Sequence, residues 1–363
     1  MTNVLREVLD EDLDAIEIGA AILGTGGGGN PYIGKLRCRE ELKKGRKIPV
    51  IPLSELPDNA FVVSLGGIGA PVVGVEKMEE GQECLRALHA LEKELDIKVD
   101  ALISAEIGGA NSMEPMLTAA QAGLPVVDGD GMGRAFPEMQ MCTWSIYGHR
   151  EAPGTMADEK GNIVVIRETP NDVWLERIAR SVVVAMGAAA GLATQPMRGD
   201  FVKRAAIPNT ITQALNLGRT VLNAHATNAD PVQTVIDQER GKLLMTAKIT
   251  DLQRHLKGGF AVGHINLDGF GKFIGETGRI DLQNEFLVFW HNGQVEVCTP
   301  DLIVVLDSDT GLPITTEMLR YGQRVAVLGL PAHPLMRSPE ALKVVGPAAF
   351  GYSDITFNSM EDK

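Results

Sequence analysis

The sequence is poor in the residues that mark several specialised classes of protein. Its four cysteines lie far apart and form no CxxC pair, which argues against a disulfide framework or a thiolate zinc site. Its seven histidines form no HxH or HExxH motif, so no local metal site can be read from them. Aromatic residues make up only 5% of the chain. That is too few for a surface on which nucleic-acid bases or sugars would stack.

Basic charge and long apolar runs are also scarce. The net charge is −13, from 47 acidic and 34 basic residues, and no basic run interrupts the acidic excess. Such a balance repels nucleic acid and anionic membranes. No apolar run reaches the roughly 18 residues of a membrane span, and the first residues lack a signal pattern. We therefore expect a cytoplasmic protein that binds neither nucleic acid nor membrane, and we also expect a homo-oligomer.

The first half of the chain has the residue pattern of an α/β domain. Apolar runs at 61–65, 101–104 and 123–127 read as buried strands, and helical patterns separate them. Alternation of strand and helix is typical of βαβ units and of a parallel sheet. We predict a mainly parallel α/β sandwich domain over residues 1–170.

The second half reads differently. Short strand patterns separated by turn signals follow one another from 243 to 327, and Asn292-Gly293 is a strong two-residue hairpin signal. Regularly spaced short strands suggest a barrel or sandwich. We predict that residues 171–363 form helices plus a smaller, β-barrel-like domain. The sequence leaves open which domain the helices between 171 and 240 join.

The most informative segment follows the apolar strand at 123–127. Ligands bind outside the carboxyl ends of the strands in an open α/β sheet. A turn needs about one Asp or Asn beside its glycine, and the loop here has more charge than that. It carries four charged side chains within eleven positions: Asp128, Asp130, Arg134 and Glu138. Glu106 and Asn111 fall on the same expected rim. We interpret this loop as part of an active site rather than as an ordinary polar loop.

A glycine-rich loop at 24–30, GTGGGGN, is a second candidate. It satisfies GxGxxG, but a helix precedes it where a dinucleotide site requires a strand. Successive glycines expose backbone N–H groups that can bind an anion or a developing oxyanion. The alternative is a closely packed turn between helices. The candidate substrate-binding residues of this loop are Thr25, Gly26, Gly27, Gly28, Gly29 and Asn30.

Three segments together resemble the S-methyl thiohydantoin desulfurase family, which is distantly related to hydantoinase and oxoprolinase. They are GAAILGTGGGGNPYIG, EIGGANSMEPMLTAAQAGLPVVDGDGMGRAFPEMQM and VVGPAAFGY. The resemblance runs over essentially the whole chain. It implies an N-terminal α/β domain followed by a small β-barrel-like domain. It also implies a zinc-dependent reaction in which water replaces an S-methyl group on a thiohydantoin ring, leaving a hydantoin and methanethiol.

The resulting hypothesis is a metal-assisted hydrolase that acts on a small heterocyclic amide or thioimidate. Asp128 and Asp130, with His149, would bind a divalent ion that activates water. Glu138 or Glu106 would act as general acid or base, with a pKa raised by burial. Arg134 would bind a substrate carboxylate, and Asn111 would contact the substrate.

Two alternatives from other classes stay open. One is a non-catalytic accessory subunit of a hydantoinase-type assembly. The other is a protein that binds a small ligand or nucleotide through the glycine-rich loop.

Overall fold

A computed structural model describes residues 4–69, 77, 80–257 and 260–362 of the chain. Its helices are α1 (Leu13–Leu23), α2 (Tyr32–Lys43), α3 (Glu83–Leu95), α4 (Met113–Ala122), α5 (Thr143–Ile146), α6 (Asp172–Ala185), α7 (Gly199–Ala205), α8 (Thr210–Thr227), α9 (Pro231–Glu239) and α10 (Pro339–Val345). The strands of the first sheet are β1 (Glu7–Val8), β2 (Ile48–Pro52), β3 (Phe61–Gly69), β4 (Ala101–Ser104), β5 (Val126–Asp130), β6 (Gly154–Ala157), β7 (Ile163–Ile166), β8 (Ala189–Ala193), β9 (Met197–Arg198) and β10 (Ile207–Pro208). The strands of the second are β11 (Lys242–Lys257), β12 (Phe260–Gly269), β13 (Thr277–Gln283), β14 (Glu285–His291), β15 (Gln294–Cys298), β16 (Leu302–Asp307) and β17 (Arg324–Leu330).

The first sheet is mixed, which corrects the prediction of a mainly parallel one. Its strand order is β1-β2-β5-β4-β3-β8-β6-β7, and β10 and β9 pair with β5 and β3. Among the described strands, the central β2, β5, β4 and β3 pair in parallel. The pairs β1–β2, β3–β8, β3–β9, β5–β10, β6–β7 and β6–β8 are antiparallel. The βαβ pattern predicted the centre of this sheet and missed its antiparallel edge.

Helices from the second half of the chain cover the first sheet. Helix α8 packs against α1, and glycines permit the close crossing. A Cβ at Gly19 would lie 1.8 Å from the carbonyl oxygen of Ala214, and one at Gly218 would lie 1.8 Å from that of Ala15. The region between 171 and 240 therefore contributes to the core around the first sheet.

The second sheet is a curled antiparallel half-barrel rather than a closed barrel. Its strand order is β15-β14-β13-β12-β11-β17-β16. The predicted hairpin at Asn292-Gly293 is confirmed: it joins β14 to β15, and both residues have positive φ, 48° and 80°. That backbone matches the tight turn favoured between twisted strands. Buried aromatic residues such as Phe286 and Phe289 form the core on the inner face of this sheet.

The glycine-rich loop connects the two sheets. The backbone N–H of Phe286 donates to the carbonyl oxygen of Thr25 at 2.8 Å, and that of Thr316 donates to Gly26 at 2.7 Å. The start of β14 and the turn at Thr316 therefore lie directly against the loop. Over the described residues, no helix is both long enough and apolar enough to cross a membrane.

Candidate active site between the two sheets

A cavity of ≈ 430 Å³ lies where the glycine-rich loop, the ends of β3 and β4, and the turn before β14 converge. Sites for small molecules usually have about 300–1,000 Å³. Apolar residues such as Leu65, Met132 and Phe136 line much of it. Glutamates from both sheets also line it, and the chemistry of the cavity follows from them.

Glu285 enters the cavity from the second sheet. Its side chain is buried, and its Oε1 accepts from the N–H of Gly28 at 3.3 Å. Its Oε2 is buried and has no hydrogen-bond partner among the described residues. Burial raises the pKa of Glu285 to about 8; the charge of Glu106 raises it further and that of Arg134 opposes the rise. Glu285 therefore holds a proton at neutral pH and can donate it.

Glu106 comes from the first sheet, directly after β4. Its Oε1 accepts from Asn111 Nδ2 at 2.7 Å, and its Oε2 accepts from the N–H of Phe136 at 3.2 Å. Burial raises the pKa of Glu106 to about 7. Asn111 Oδ1 accepts from the N–H of Gly67 at 2.6 Å, so its amide N–H₂ must face Glu106. The structure thus brings the predicted residues Glu106 and Asn111 together in the cavity.

The glycine-rich loop is closely packed, and part of it also lines the cavity. A Cβ at Gly27 would lie 2.1 Å from Glu285 Oε1, one at Gly26 would lie 2.4 Å from the Phe286 ring, and one at Gly28 would lie 2.4 Å from the carbonyl oxygen of Gly108. These contacts support the packing alternative for three glycines. Gly28, Gly29 and Asn30 line the cavity. An anion-binding role for their N–H groups stays a prediction.

Arg134 does not line the cavity. It is fully buried and stacks over Phe136, with its guanidinium 4.4 Å from the ring centroid. Its N–H groups donate to five oxygens: Ala135 O, Pro300 O, Asp301 O, Thr25 Oγ1 and Phe286 O. With its donors engaged, Arg134 joins the glycine-rich loop to the second sheet. Thr25 is buried with it, so the geometry gives neither residue a place against a substrate.

Asp128 also lies outside the cavity. Its Oδ1 accepts from the N–H groups of Ile211 at 3.0 Å and Thr212 at 3.2 Å, and its Oδ2 accepts from Thr212 Oγ1 at 2.6 Å. These N–H groups belong to the first turn of α8, where N–H groups have no partner within the helix. Asp128 therefore caps α8 from β5, and its oxygens face donors rather than a metal.

Asp130 lies outside the cavity lining and binds the backbone next to Glu106. Its carboxylate accepts from the N–H groups of Ile107 at 2.7 Å, Met132 at 3.2 Å and Gly133 at 2.8 Å. Burial raises its pKa to about 7, while these N–H groups oppose the rise. Since Ile107 follows Glu106, Asp130 fixes the backbone that carries the cavity glutamate.

The residues expected to bind zinc do not fit a metal ion. Asp128 and Asp130 point at separate sets of N–H donors. His149 Nε2 lies 3.0 Å from the carbonyl oxygen of Gln195, and its ring packs on Phe201. Within the described part of the chain, no three or more His, Cys, Asp or Glu side chains form a metal-binding group.

Of the four charged residues Asp128, Asp130, Arg134 and Glu138, Glu138 is the one that lines the cavity. It contacts Gln140 Nε2. Another glutamate of the lining, Glu176, binds Arg180 in an ion pair of 2.6 Å. The expected cleft of Asp128, Asp130 and Glu138 does not form, because the two aspartates turn towards backbone N–H groups.

Glu285 could not be identified from the sequence pattern. It is the first residue of β14 in the second sheet, 179 positions from Glu106 by their residue numbers. Its only local signal is Asn284, which has φ 57° and indicates a turn. A turn residue beside a glutamate carries no sign of a contact with the first sheet.

Two family models match the chain. The model for the S-Me-THD-like N-terminal domain matches residues 11–168, and the model for the S-Me-THD-like C-terminal domain matches residues 170–360. The chain therefore belongs to the S-methyl thiohydantoin desulfurase-like family, as its resemblance predicted. The pair of matches is consistent with a two-domain protein.

The chain is also similar to the crystal structure of a protein from Chromobacterium violaceum. The two share 24% identity over 98% of this chain and 100% of that chain, with a TM-score of 0.81. At this identity the similarity supports the fold alone. Comparison with curated proteins gave no match.

Proposed function

We propose that this protein hydrolyses a small, neutral heterocycle, a thioimidate or cyclic amide, with Glu106 and Glu285 as its acid–base pair. The observation that carries the proposal is Glu285: a buried carboxyl with one unpartnered oxygen, beside a second buried carboxyl in a cavity of suitable volume. Retention of an unpaired buried polar group is unfavourable for folding. Carboxyls with strongly shifted pKa values are concentrated at functional sites, where catalysis needs them.

The pair supplies both proton transfers. With an S-methyl thiohydantoin, ionised Glu106 takes a proton from water as the water oxygen bonds to the ring carbon and the C=N π electrons move to the ring nitrogen. The C=N bond then re-forms as the C–S bond breaks, protonated Glu285 gives its proton to sulfur, and methanethiol leaves. The remaining hydroxyl proton moves to the ring nitrogen, which gives the hydantoin. Return of one proton from Glu106 to Glu285 restores the starting state.

Other residues bind and orient the ring. Asn111 holds the Glu106 carboxyl, and the loop at Gly28 and Gly29 lies against the same space. The zinc ion implied by the family stays a prediction. Because Asp128, Asp130 and His149 do not fit it, no step is assigned to a metal. The cytoplasmic location and the homo-oligomer also stay predictions.

A product assay tests the proposal. The purified protein would be incubated with S-methyl thiohydantoins derived from several amino acids. Headspace mass spectrometry would measure methanethiol, and liquid chromatography would measure the hydantoin. We expect the two products in equal amounts at a rate proportional to protein concentration. No release from any member of the panel would contradict the proposal and favour the non-catalytic subunit.

A further inference from the structure

The cavity continues past Glu106 to a second pair of polar side chains, Glu151 and Thr194. Both line the cavity, and both are buried, with 2% and 4% of their surface exposed. They lie on neighbouring segments, because the N–H of Gln195 donates to the carbonyl oxygen of Glu151 at 3.0 Å. The mechanism proposed above uses neither of them.

Neighbouring groups hold Glu151 in place, and Trp144 binds one of its two carboxyl oxygens. Trp144 Nε1 donates to its Oε1 at 2.5 Å, and its backbone N–H donates to Asp172 Oδ1 at 3.1 Å. Burial raises the pKa of Glu151 to about 7, and the nearby Thr194 hydroxyl offsets part of the rise. The carboxyl thus has a fixed direction and presents acceptor oxygen to the cavity.

Thr194 supplies the second polar group at this end of the cavity. Its Oγ1 is buried beside the Glu151 carboxyl, whose charged form it favours, but no hydrogen bond of normal length and angle joins it to a described residue. Buried polar groups in native proteins are nearly always hydrogen-bonded, and an exception requires an explanation. A hydroxyl that faces a cavity beside a fixed carboxyl is explained if a bound molecule completes its hydrogen bonding.

Cys142 relates this pair to the acid–base pair. Its thiol donates to the carbonyl oxygen of Ala105, the residue before Glu106, at 3.6 Å, and Trp144, two positions further along the chain, donates to Glu151. Cys142 also lines the cavity. A substrate whose ring occupies the Glu106 end can extend a substituent to Glu151.

We propose that Glu151 and Thr194 form a second recognition site, which binds an N–H-donating group on the side chain of the heterocyclic substrate. This inference rests on the proposed function, since it places the ring at Glu106. Both oxygens can accept from an amide or amine N–H. A substrate carboxylate would instead face the charge of Glu151, with Asp172 behind it. The cations of the lining, Arg180, Lys77 and Arg37, are already engaged with Glu176, Glu159 and Glu114.

Binding of three hydantoins tests the inference without requiring turnover. The hydantoin derived from glutamine carries a side-chain amide, and that derived from glutamate carries an isosteric carboxylate. The hydantoin derived from alanine has neither. Calorimetry with the wild-type protein should show that the glutamine compound binds about tenfold or more tightly than the glutamate compound, the effect of one well-made hydrogen bond or more.

Variants assign that preference to the two residues. Thr194→Val keeps the shape but loses the hydroxyl, so affinity for the glutamine compound should fall while affinity for the alanine compound stays unchanged. Thr194→Ser keeps a hydroxyl, so it should retain the affinity for the glutamine compound. Glu151→Gln keeps an oxygen for Trp144 and places an N–H₂ group in the site, so the preference should shift towards the glutamate compound.

The possible outcomes separate the two proposals. Equal wild-type affinity for the glutamine and glutamate compounds, or a preference unchanged in Glu151→Gln, would overturn the second site alone. A preference that follows the variants, in a protein that releases no methanethiol, would support the second site and overturn hydrolysis. Binding of none of the three hydantoins would overturn the second site, while hydrolysis would still be decided by methanethiol release.

Discussion

Glu106 and Glu285 hold protons in a pH range in which ordinary glutamates have lost them. The reason is burial, since an ionised carboxylate loses solvation in the cavity and too few donors replace water. The pKa of Glu106 rises to about 7 and that of Glu285 to about 8. The charge of Glu106 contributes to the rise at Glu285, so ionisation of Glu106 favours the protonated form of Glu285.

The pH dependence of kcat/KM follows from these roles. Catalysis needs ionised Glu106 and protonated Glu285, so activity should fall below about pH 7 and again above about pH 8. We expect a narrow bell-shaped profile with its maximum between these values. Rates of methanethiol release from pH 5 to pH 10 would check it. A flat profile over that range would contradict the assignment.

The same shift makes Glu285 unfavourable for folding at high pH. Its pKa is about 8 in the folded protein against 4.5 in the free side chain. Below the lower value the group is neutral in both states and has no effect. Between the two values the folded state keeps a proton that the unfolded state releases, so raising the pH lowers the free energy of unfolding.

Glu285→Gln should therefore gain stability relative to the wild type as the pH rises. Glutamine can still accept from Gly28 and needs no proton. We expect the difference in unfolding free energy to shift in favour of the variant by about 1–3 kcal/mol between pH 4.5 and pH 8.5. Urea unfolding at both values measures it. A constant difference would mean that Glu285 titrates normally.

At the scale of elements, Asp128 joins β5 to the first turn of α8. Asp128→Asn keeps the shape but replaces one acceptor oxygen with an N–H₂ group that faces donors. We expect a loss of about 1–3 kcal/mol in stability, with activity per folded molecule unchanged. Urea unfolding and kcat measured together test this. Wild-type stability with lost activity would return Asp128 to a catalytic or metal-binding role.

The glycine-rich loop matters through the space it leaves for Glu285. In Gly27→Ala the new Cβ would lie 2.1 Å from Glu285 Oε1, so the carboxyl must move. We expect kcat/KM to fall by about tenfold or more, since small displacements of a catalytic group are costly.

Gly161→Ala is the matched control for this loop. Gly161 has a φ of 85°, and a Cβ added there would meet no atom within 4 Å. The change to alanine therefore strains a remote hairpin, so it should lower stability without changing kcat/KM. Equal activity loss in both variants would attribute the effect at Gly27 to instability.

The elements that the sequence predicted well are those defined by local pattern. Apolar β-branched runs predicted three of the four central parallel strands but not β2, and Asn292-Gly293 predicted its hairpin. The strand expected at 123–127 is β5, Val126–Asp130, so Asp128 and Asp130 belong to the strand and not to the loop after it. The role of Asp128 could not be predicted, because an acidic residue near a strand end looks the same in the sequence whether it faces a ligand or the N–H groups of a helix. The N–H groups that it faces lie 83 and 84 positions later in the numbering. Tertiary contacts decide between these cases.

At the scale of the whole molecule, the cavity depends on both halves of the chain. The first sheet supplies Glu106 and Asn111, and the second supplies Glu285. Arg134 holds the halves together through oxygens on either side. The sequence predicted Glu106 and Asn111 because they lie near a strand end in a recognisable motif. It could not predict Glu285, since the pairing of distant segments leaves no local signal.

The central claim is that Glu285 takes part in hydrolysis, and one comparison of variants tests it most directly. Methanethiol release from an S-methyl thiohydantoin would be measured for the wild type, Glu285→Gln and Glu296→Gln. Glu296 lies on the same sheet and contacts His291, outside the cavity lining. The account predicts that Glu285→Gln loses about 10²-fold or more in kcat, the usual contribution of a general acid, while Glu296→Gln keeps the wild-type rate. Wild-type turnover in folded Glu285→Gln would contradict it.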